Sequence, residues 1–346
     1  MVQDTSSAST SPILTRWYID TRPLTASTAA LPLLETLQPA DQISVQKYYH
    51  LKDKHMSLAS NLLKYLFVHR NCRIPWSSIV ISRTPDPHRR PCYIPPSGSQ
   101  EDSFKDGYTG INVEFNVSHQ ASMVAIAGTA FTPNSGGDSK LKPEVGIDIT
   151  CVNERQGRNG EERSLESLRQ YIDIFSEVFS TAEMANIRRL DGVSSSSLSA
   201  DRLVDYGYRL FYTYWALKEA YIKMTGEALL APWLRELEFS NVVAPAAVAE
   251  SGDSAGDFGE PYTGVRTTLY KNLVEDVRIE VAALGGDYLF ATAARGGGIG
   301  ASSRPGGGPD GSGIRSQDPW RPFKKLDIER DIQPCATGVC NCLSRG

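Results

Sequence analysis

The chain has 346 residues, 40% hydrophobic and 22% charged, and its formal net charge is −4 at pH 7. These values fit a globular protein of one large or two modest domains, and they give no general sign of nucleic-acid binding. No run of about 20 apolar residues is present, which argues against a membrane span. The first residues lack a secretory or transit pattern, so we expect a cytoplasmic protein.

The first half of the chain alternates strand and helix patterns. Residues 13–20 predict a strand, and apolar residues at helical spacing predict one long helix over 40–70. Two further strands are predicted at 115–119 and 122–131, joined by a tight turn at His119-Gln120-Ala121.

The second half repeats this order of elements. A strand is predicted at 144–150, helices lie in the regions 165–190 and 203–228, and a closing strand pair covers 277–284 and 287–295. The repetition predicts an α/β (α+β) protein of two similar, pseudo-twofold lobes. Each lobe is a small antiparallel sheet packed with a long helix, and the cleft between the lobes is the expected ligand site.

The composition also predicts how the chain is divided. The lobes are expected at 13–140 and 141–295. Residues 1–12 and the glycine-rich stretch 296–317 are predicted to be disordered. Residues 318–346 regain hydrophobic side chains and are expected to pack back in part onto the body.

Six cysteines are scattered along the chain, at Cys72, Cys92, Cys151, Cys335, Cys340 and Cys342. None belongs to a CxxC pair of the kind found in zinc sites, and a chain of this size does not need a disulfide framework. We expect reduced thiols. A metal site at the three tail cysteines is the less favoured alternative, because their spacing is irregular.

The strand at 144–150 carries one carboxylate. Alternation along a strand places the odd-numbered residues 145–149 on one face, the core, and Gly146, Asp148 and Thr150 on the other. The glycine would leave room for a ligand to approach the backbone. Mg²⁺ takes one or two carboxylates together with substrate phosphate oxygens, so Asp148 is a candidate half-site. The alternative is a structural cap or an edge charge.

Polar side chains also cluster in "FNVSHQ". Asn116, Ser118 and Gln120 share one strand face, and His119 is at the hairpin end. Ser118 and His119 point to opposite faces, which argues against a nucleophile–base pair. Hydroxyl, amide and imidazole groups at a turn favour phosphate binding, and a turn satisfied by its own side chains is the alternative.

A basic loop precedes that hairpin in the sequence. "RTPDPHRRPCYIPP" contains Arg83, Arg89 and Arg90 among prolines. Guanidinium groups match phosphate geometry, so this loop is a second candidate for phosphate contacts. A solvated basic loop is the alternative interpretation.

The helix at 203–228 has two distinct stripes. Its core stripe is predicted to be Leu210, Tyr214, Leu217, Tyr221 and Met224. The second stripe contains Trp215, Glu219, Lys223 and Gly226. Glu219 and Lys223 could be a solvated i, i+4 pair worth only ~0.2–0.5 kcal/mol. An aromatic residue and a glycine on the same stripe favour a pocket wall instead.

Together these segments resemble the 4′-phosphopantetheinyl transferases, in particular the two-lobed, broad-range type of filamentous fungi. The resemblance rests on four blocks in the expected order, "RRPCYIP", "FNVSHQ", "VGIDIT" and "WALKEAYIKMTGEAL", and extends over most of 13–295. "GIDI" followed by W-x-x-K-E-A-x-x-K-x-x-G is the more specific part. The tail around "FKKLDIERDI" is similar to a terminal strand that folds back onto the first lobe in these enzymes.

The resemblance implies transfer of the phosphopantetheine arm of coenzyme A to a carrier-protein serine, with release of adenosine 3′,5′-bisphosphate. It implies that Asp148 and Glu219 hold Mg²⁺ and that Lys223 stabilises charge on the pyrophosphate, so these three are the expected catalytic residues. The expected coenzyme A contacts are Arg83, Arg89, Arg90, Asn116, Ser118, His119, Lys218 and Lys223. Among these, Arg90, Ser118 and His119 are expected to bind the adenosine 3′-phosphate.

One position departs from many bacterial members. Thr150 stands where they have a second acidic ligand. The resemblance to the animal enzyme suggests Gln120 as the third metal ligand, with Thr150 or water as alternatives. Whether Glu219 or a metal-bound water is the base stays open.

The implied partners are acyl and peptidyl carrier domains of polyketide synthases, nonribosomal peptide synthetases and aminoadipate reductase. Neither nucleic acid nor a membrane is expected as a partner, and two pseudo-twofold lobes suggest a monomer. One rival is a non-catalytic carrier-protein or coenzyme A binding module, whose expected mark would be the loss of Asp148, Glu219 or Lys223. Another is a different Mg²⁺-dependent nucleotide enzyme, such as a kinase, but the common kinase motifs are absent from the sequence.

Overall fold

A computed structural model describes residues 12–85, 88–95, 110–132, 142–153, 163–193, 198–227, 231–249, 258–301 and 318–344. Most of the two stretches predicted to be disordered, 1–12 and 296–317, lies outside these ranges, as does the predicted lobe boundary at 140. Across the described ranges, no helix combines the length and the apolar character that a membrane span requires.

The described elements of the first half are β1 (Leu14–Asp20), α1 (Arg22–Ser27), α2 (Pro39–Gln46), α3 (Leu51–Cys72), β2 (Ile81–Arg83), β3 (Pro91–Tyr93), β4 (Asn112–Gln120) and β5 (Met123–Phe131). Those of the second half are β6 (Glu144–Cys151), α4 (Leu165–Asp173), α5 (Thr181–Arg189), α6 (Ala200–Thr225), β7 (Leu237–Ser240), β8 (Arg266–Leu269), β9 (Asn272–Leu273), β10 (Val277–Leu284) and β11 (Tyr288–Arg295). The tail adds β12 (Lys324–Lys325), a π-helical turn at Ile328–Ile332 and the short α7 (Gln333–Ala336).

Two main sheets, each covered by one long helix, confirm the predicted α/β architecture. The first has the order β12–β1–β5–β4, and the second has the order β10–β11–β6. The second sheet is antiparallel, as predicted, but the first is mixed because β12 runs parallel to β1. A parallel partner needs a long connection, and the tail supplies one because it follows β1 by about 300 residues.

The helix predicted over 40–70 is in fact two helices, α2 and α3. His50 has extended backbone angles, φ −82° and ψ 137°, and α3 begins after it. The chain turns at this point so that α2 packs beside α3, where the Tyr65 hydroxyl donates to Asp41 Oδ2 at 2.5 Å. A continuous helix could not make this contact, since residues 24 apart in one helix lie roughly 36 Å apart.

The predicted hairpin is present, but its turn begins two residues later and contains two residues, where three were predicted. Ala121 and Ser122 form the turn with positive φ angles of 47° and 72°, the pattern of a two-residue hairpin loop. His119 and Gln120 are the last residues of β4, paired with Val124 and Met123 of β5. Strand pairing therefore fixes the backbone of both residues.

Three apolar clusters organise the molecule in layers. One cluster lies between α3 and the first sheet, and another lies between α6 and the second sheet. The third lies between the two sheets and contains Ala125 and Ala127 of β5 with Ile147 of β6 and Phe290 of β11. The order is helix, sheet, sheet, helix. The space between the sheets is thus largely an apolar core, and the polar site lies at its β4–β6 edge.

A buried ion network crosses the same boundary. Arg16 of β1 pairs with Glu280 of β10, and Arg278 Nη2 lies 3.2 Å from Glu280 Oε2. Arg278 Nη1 also lies 2.7 Å from Asp318 Oδ1 in the tail. Because buried charges are costly unless they are paired, this network fixes β1, β10 and the tail relative to one another.

Candidate functional site

Side chains of β4 bind the free edge of β6. The three contacts are Ile147 N to Asn116 Oδ1 at 3.3 Å, Ile149 N to Ser118 Oγ at 3.2 Å, and Cys151 N to Gln120 Oε1 at 2.7 Å. The other edge of β6 pairs with β11. Buried backbone N–H groups need acceptors, and the side chains of β4 supply them. We call this ladder the β4–β6 seam, and it sets the register that brings Ser118 beside Asp148.

Asp148 is the most highly connected acid at the seam. It is buried, with 4% of its surface exposed. Lys223 Nζ lies 2.6 Å from Asp148 Oδ1 and 2.9 Å from Ser118 Oγ. The Thr150 hydroxyl donates to Asp148 Oδ2 at 2.8 Å. The structure therefore brings Asp148, Ser118 and Lys223 together.

Glu219 lies one helical turn before Lys223, at the same edge of the seam. Burial, followed by repulsion from Asp148, raises the pKa of Glu219 to about 7, although Lys223 opposes the shift. Lys223, one turn further along the same face of α6, contacts Asp148, and the backbone of α6 at Ala220 and Met224 packs directly on Gly146 of β6. This packing places Glu219 on the side of α6 that faces Asp148, although the two acids are 71 positions apart in the sequence.

The donor set fits a hard divalent cation. Asp148 and Glu219 offer carboxylate oxygens, Thr150 offers a hydroxyl, and such oxygen ligands are the ones that Mg²⁺ and Ca²⁺ take. The ammonium group of Lys223 already holds one Asp148 oxygen, which shows that a positive charge is accommodated there. Two carboxylates and one ammonium group leave the site with a net negative charge, which a bound cation would offset.

Gln120, the predicted third ligand, already accepts the hydrogen bond of Cys151 N–H through Oε1. A carbonyl oxygen has two lone pairs, so this contact uses half of its accepting capacity. Thr150 is buried, and its hydroxyl donates to Asp148, which leaves its oxygen lone pairs as acceptors. Gln120 as a metal ligand stays a prediction.

Arg90 connects the basic loop to the second half of the chain. Its Nη2 donates to Glu114 Oε1 at 2.7 Å and to Val145 O at 2.9 Å, and its Nη1 donates to Met224 O at 3.2 Å. Glu114 and Ser118 are four residues apart on β4, roughly 13 Å. The structure therefore does not place the Arg90 guanidinium next to Ser118 and His119, which were expected to bind the same phosphate.

The other two arginines of the basic loop are exposed. Arg83 Nη1 donates to Arg89 O at 3.0 Å, a contact within the loop itself. His88, which the sequence analysis did not single out, lies with Nδ1 2.7 Å from Gly226 O at the end of α6. His88 and Arg90 thus anchor the loop to α6 and leave the side chains of Arg83 and Arg89 towards solvent.

The prediction that Lys218 contacts coenzyme A is wrong. Its side chain is fully buried, and Nζ lies 2.9 Å from Glu183 Oε2. It also donates to the carbonyl oxygens of Leu234 and Leu237. The physical reason is helical geometry: Lys218 follows the core residue Leu217 and points into the second lobe, about 100° around the helix from Glu219.

Lys218→Met is therefore expected to lower the free energy of unfolding by about 3–5 kcal/mol, because it leaves Glu183 charged and buried without its partner. Urea unfolding followed by circular dichroism measures the loss. Arg235→Met is the matched control, since its pair with Glu177 is exposed and its removal should cost less than about 1 kcal/mol. If Lys218→Met leaves the stability unchanged and weakens coenzyme A binding, Lys218 does contact coenzyme A.

Lys64 of α3 is a candidate that the sequence analysis missed. Burial lowers the pKa of Lys64 to about 8, opposed by Asp41 and assisted by the positive charge of Arg83. Loss of hydration, followed by the positive charges of Lys223 and Lys64, also lowers the pKa of His119 at the end of β4. The sequence signal that could have identified Lys64 was a lysine within the apolar run "NLLKYLF".

Comparison with known proteins follows the same two halves. A family model described as "4′-phosphopantetheinyl transferase, N-terminal" matches residues 24–131, and one described as "4′-phosphopantetheinyl transferase superfamily" matches residues 144–262. The chain is 55% identical to 4′-phosphopantetheinyl transferase A of Aspergillus fumigatus, over 96% of this chain and 97% of that one.

Two more distant relatives extend the comparison. A 4′-phosphopantetheinyl transferase of Aureobasidium melanogenum is 34% identical, over 92% of this chain and 96% of its own. The L-aminoadipate-semialdehyde dehydrogenase-phosphopantetheinyl transferase of Rattus norvegicus is 24% identical, over 76% of this chain and 68% of its own. The similarity therefore covers both sheets and both long helices.

Proposed function

Because the chain belongs to the 4′-phosphopantetheinyl transferase family, we propose that it transfers the 4′-phosphopantetheine group of coenzyme A to a serine of acyl and peptidyl carrier proteins in a Mg²⁺-dependent reaction. The observation that supports this best is the contact of Asp148 with Lys223 at the β4–β6 seam, with Glu219 one turn before Lys223 on the helix that packs on β6. Coenzyme A carries a diphosphate and a 3′-phosphate. The site offers carboxylates that could bind a cation and basic side chains that could bind phosphate.

The proposed roles follow from these positions. Asp148 and Glu219 would hold Mg²⁺, with Gln120 as the proposed third ligand. A bound Mg²⁺ would supply charge neutralisation on the pyrophosphate. Lys223, 2.6 Å from Asp148, would add a fixed positive charge where negative charge develops. The proposed coenzyme A contacts are Arg83, Arg89, Arg90, Asn116, Ser118, His119 and Lys223.

The proposed reaction is a displacement at phosphorus. The carrier serine oxygen forms a bond to the β-phosphorus, and the bond from that phosphorus to the bridging oxygen breaks, so adenosine 3′,5′-bisphosphate leaves. The serine proton must go to a base. A carboxylate that is engaged on a metal is a poor base, so Glu219 would act through a water held at the cation, and that water would accept the proton.

The proposed partners are carrier domains of polyketide synthases, nonribosomal peptide synthetases and aminoadipate reductase; the name of the rat relative supports the last. We also propose a monomeric, cytoplasmic enzyme with lobes at 13–140 and 141–295. All six cysteines lie within the described residues and form no disulfide, which suits a reducing compartment.

The direct test incubates an apo carrier protein with the purified protein, coenzyme A and Mg²⁺, followed by mass spectrometry of the intact carrier. The expected result is a gain of one phosphopantetheine group on the carrier serine. A carrier with that serine replaced by alanine is the control. Coenzyme A binding without modification would favour the non-catalytic module, and phosphorylation with ATP would favour the kinase.

The affinity for Mg²⁺ is expected to increase with pH. Glu219 is raised to a pKa of about 7, so at pH 6 it is mostly protonated and at pH 8 mostly charged. Since a metal needs the charged form, the apparent affinity should be about tenfold higher at pH 8 than at pH 6. Calorimetric titration of the protein with MgCl₂ at both pH values measures this. Equal affinities would contradict the proposed role of Glu219.

A further inference from the structure

A second cluster of ligating side chains lies at the C-terminal end of α3, and it shares no residue with the candidate active site. It contains His69 from the last turns of α3, together with Cys335, Cys340 and Cys342 from the tail. Their four potential ligand atoms all lie within 4.8 Å of one another. His69 and Cys335 are buried, and the other two thiols are half-buried.

The orientation of His69 suits a metal ligand. Its Nδ1 lies 2.7 Å from the carbonyl oxygen of Ile74, a contact that requires a proton on Nδ1. The lone pair of the neutral ring is then on Nε2, which lies 3.2 Å from Cys340 Sγ. Metal-binding histidines usually donate their second ring N–H to a carbonyl or carboxylate in this manner, which fixes the tautomer and the ring.

The distance between two of the thiols also matches a tetrahedral site. Cys335 Sγ and Cys342 Sγ lie 3.7 Å apart. Two sulfurs bound to zinc at about 2.3 Å with tetrahedral angles lie about 3.8 Å apart, whereas a disulfide requires about 2.05 Å. The thiols are therefore placed as co-ligands of one ion, and their spacing is too large for a bond between them.

We propose that His69, Cys335, Cys340 and Cys342 form a structural zinc site. Three thiolates and one imidazole are one of the ligand sets that zinc takes in structural sites, where all four positions come from the protein. Soft sulfur ligands exclude Mg²⁺ and Ca²⁺, which take oxygen. Binding would release the protons of the three thiols to solvent.

The ion would fasten the tail to the first lobe. The tail provides β12 beside β1, and Leu326, Ile328 and Ile332 pack in the α3 cluster. Arg70, next to His69, donates to Asp331 O at 2.7 Å. The site thus joins a helix to a segment more than 260 residues later in the sequence. This separation explains why the irregular C-x₄-C-x-C spacing did not predict it.

The first test is the metal content of the full-length protein, purified under reducing conditions without chelators and measured by inductively coupled plasma mass spectrometry. We expect about one zinc per chain. Cys340→Ser and His69→Ala should each lose it, whereas Cys92→Ser, which changes a half-buried thiol outside the cluster, should retain it.

A second measurement does not depend on how the variants fold. Wild-type protein stripped of metal is titrated with Co²⁺, and the expected spectrum has thiolate-to-cobalt charge-transfer bands with the intense visible bands of tetrahedral coordination. Wild-type protein that holds no zinc and gives no such bands would overturn the proposal. A Cys335–Cys342 disulfide in the freshly purified chain would overturn it as well. Neither outcome bears on the transferase activity, which is assayed separately.

Discussion

Asp148→Ala is expected to reduce kcat/KM for carrier modification by about 10³-fold or more. The substitution removes one of the two converging acids and the partner of Lys223 at once. Loss of one preorganised electrostatic group in an active site commonly costs 10²–10³-fold, and Asp148 is also a proposed metal ligand, whose loss would add to that. Asp148→Asn keeps the side-chain size but removes the charge, so it should be impaired to a similar degree.

The measurement is the initial rate of holo-carrier formation at varied coenzyme A and Mg²⁺, with circular dichroism to verify folding. Asp173→Ala is the matched control, because that carboxylate is exposed and pairs with Arg188 on the surface. It should retain wild-type rates. An Asp148→Asn variant with most of its activity would show that charge at this position is unnecessary, and the proposed cation site would then be wrong.

Gly146→Ala is expected to prevent stable folding or to lower the free energy of unfolding by more than about 4 kcal/mol, the range of exceptional single-site effects. An added Cβ would lie 2.0 Å from Ala220 O and 2.3 Å from Met224 N. Both are backbone atoms of α6, so rotation of a side chain cannot relieve the overlap. The helix would have to move away from β6, and it carries Glu219 and Lys223.

Urea unfolding measures this effect, and Gly286→Ala is the control, because an added Cβ there meets no atom within 4 Å. The control should change stability by no more than about 0.5 kcal/mol. A Gly146→Ala protein that loses less than about 1 kcal/mol would contradict the direct packing of α6 on β6. This packing also corrects the expectation that Gly146 leaves room for a ligand, since the helix occupies that space.

Periodicity predicted the elements that pack through one continuous face. The core stripe of α6 is an example: Leu210, Tyr214, Leu217, Tyr221 and Met224 are all at most 2% exposed. The break between α2 and α3 was missed, because residues 47–50 contain neither glycine nor proline and the break depends on tertiary packing. The burial of Lys218 was missed, since a buried lysine is intelligible only once Glu183 is seen beside it.

The sequence patterns predicted individual site residues but not their proximity in space. Alternation along β6 singled out Asp148, and helical spacing singled out Glu219 and Lys223. Their proximity came from the resemblance, because no periodicity links residues 71 positions apart. The contact of Ser118 with Asp148 depends on the β4–β6 seam, which joins segments about 30 residues apart through side chains. The positive charge of Lys64 was missed because its helix was read for packing only.

The β4–β6 seam also limits how this enzyme can be re-engineered. Main-chain pairing between strands tolerates many residue types, but here Asn116, Ser118 and Gln120 themselves supply the acceptors that unite the halves. A library that varies these positions to accept coenzyme A analogues would weaken assembly in the same step. Arg83 and Arg89, exposed residues among the proposed coenzyme A contacts, lie outside the β4–β6 seam and supply none of its acceptors, so they are the better positions to vary.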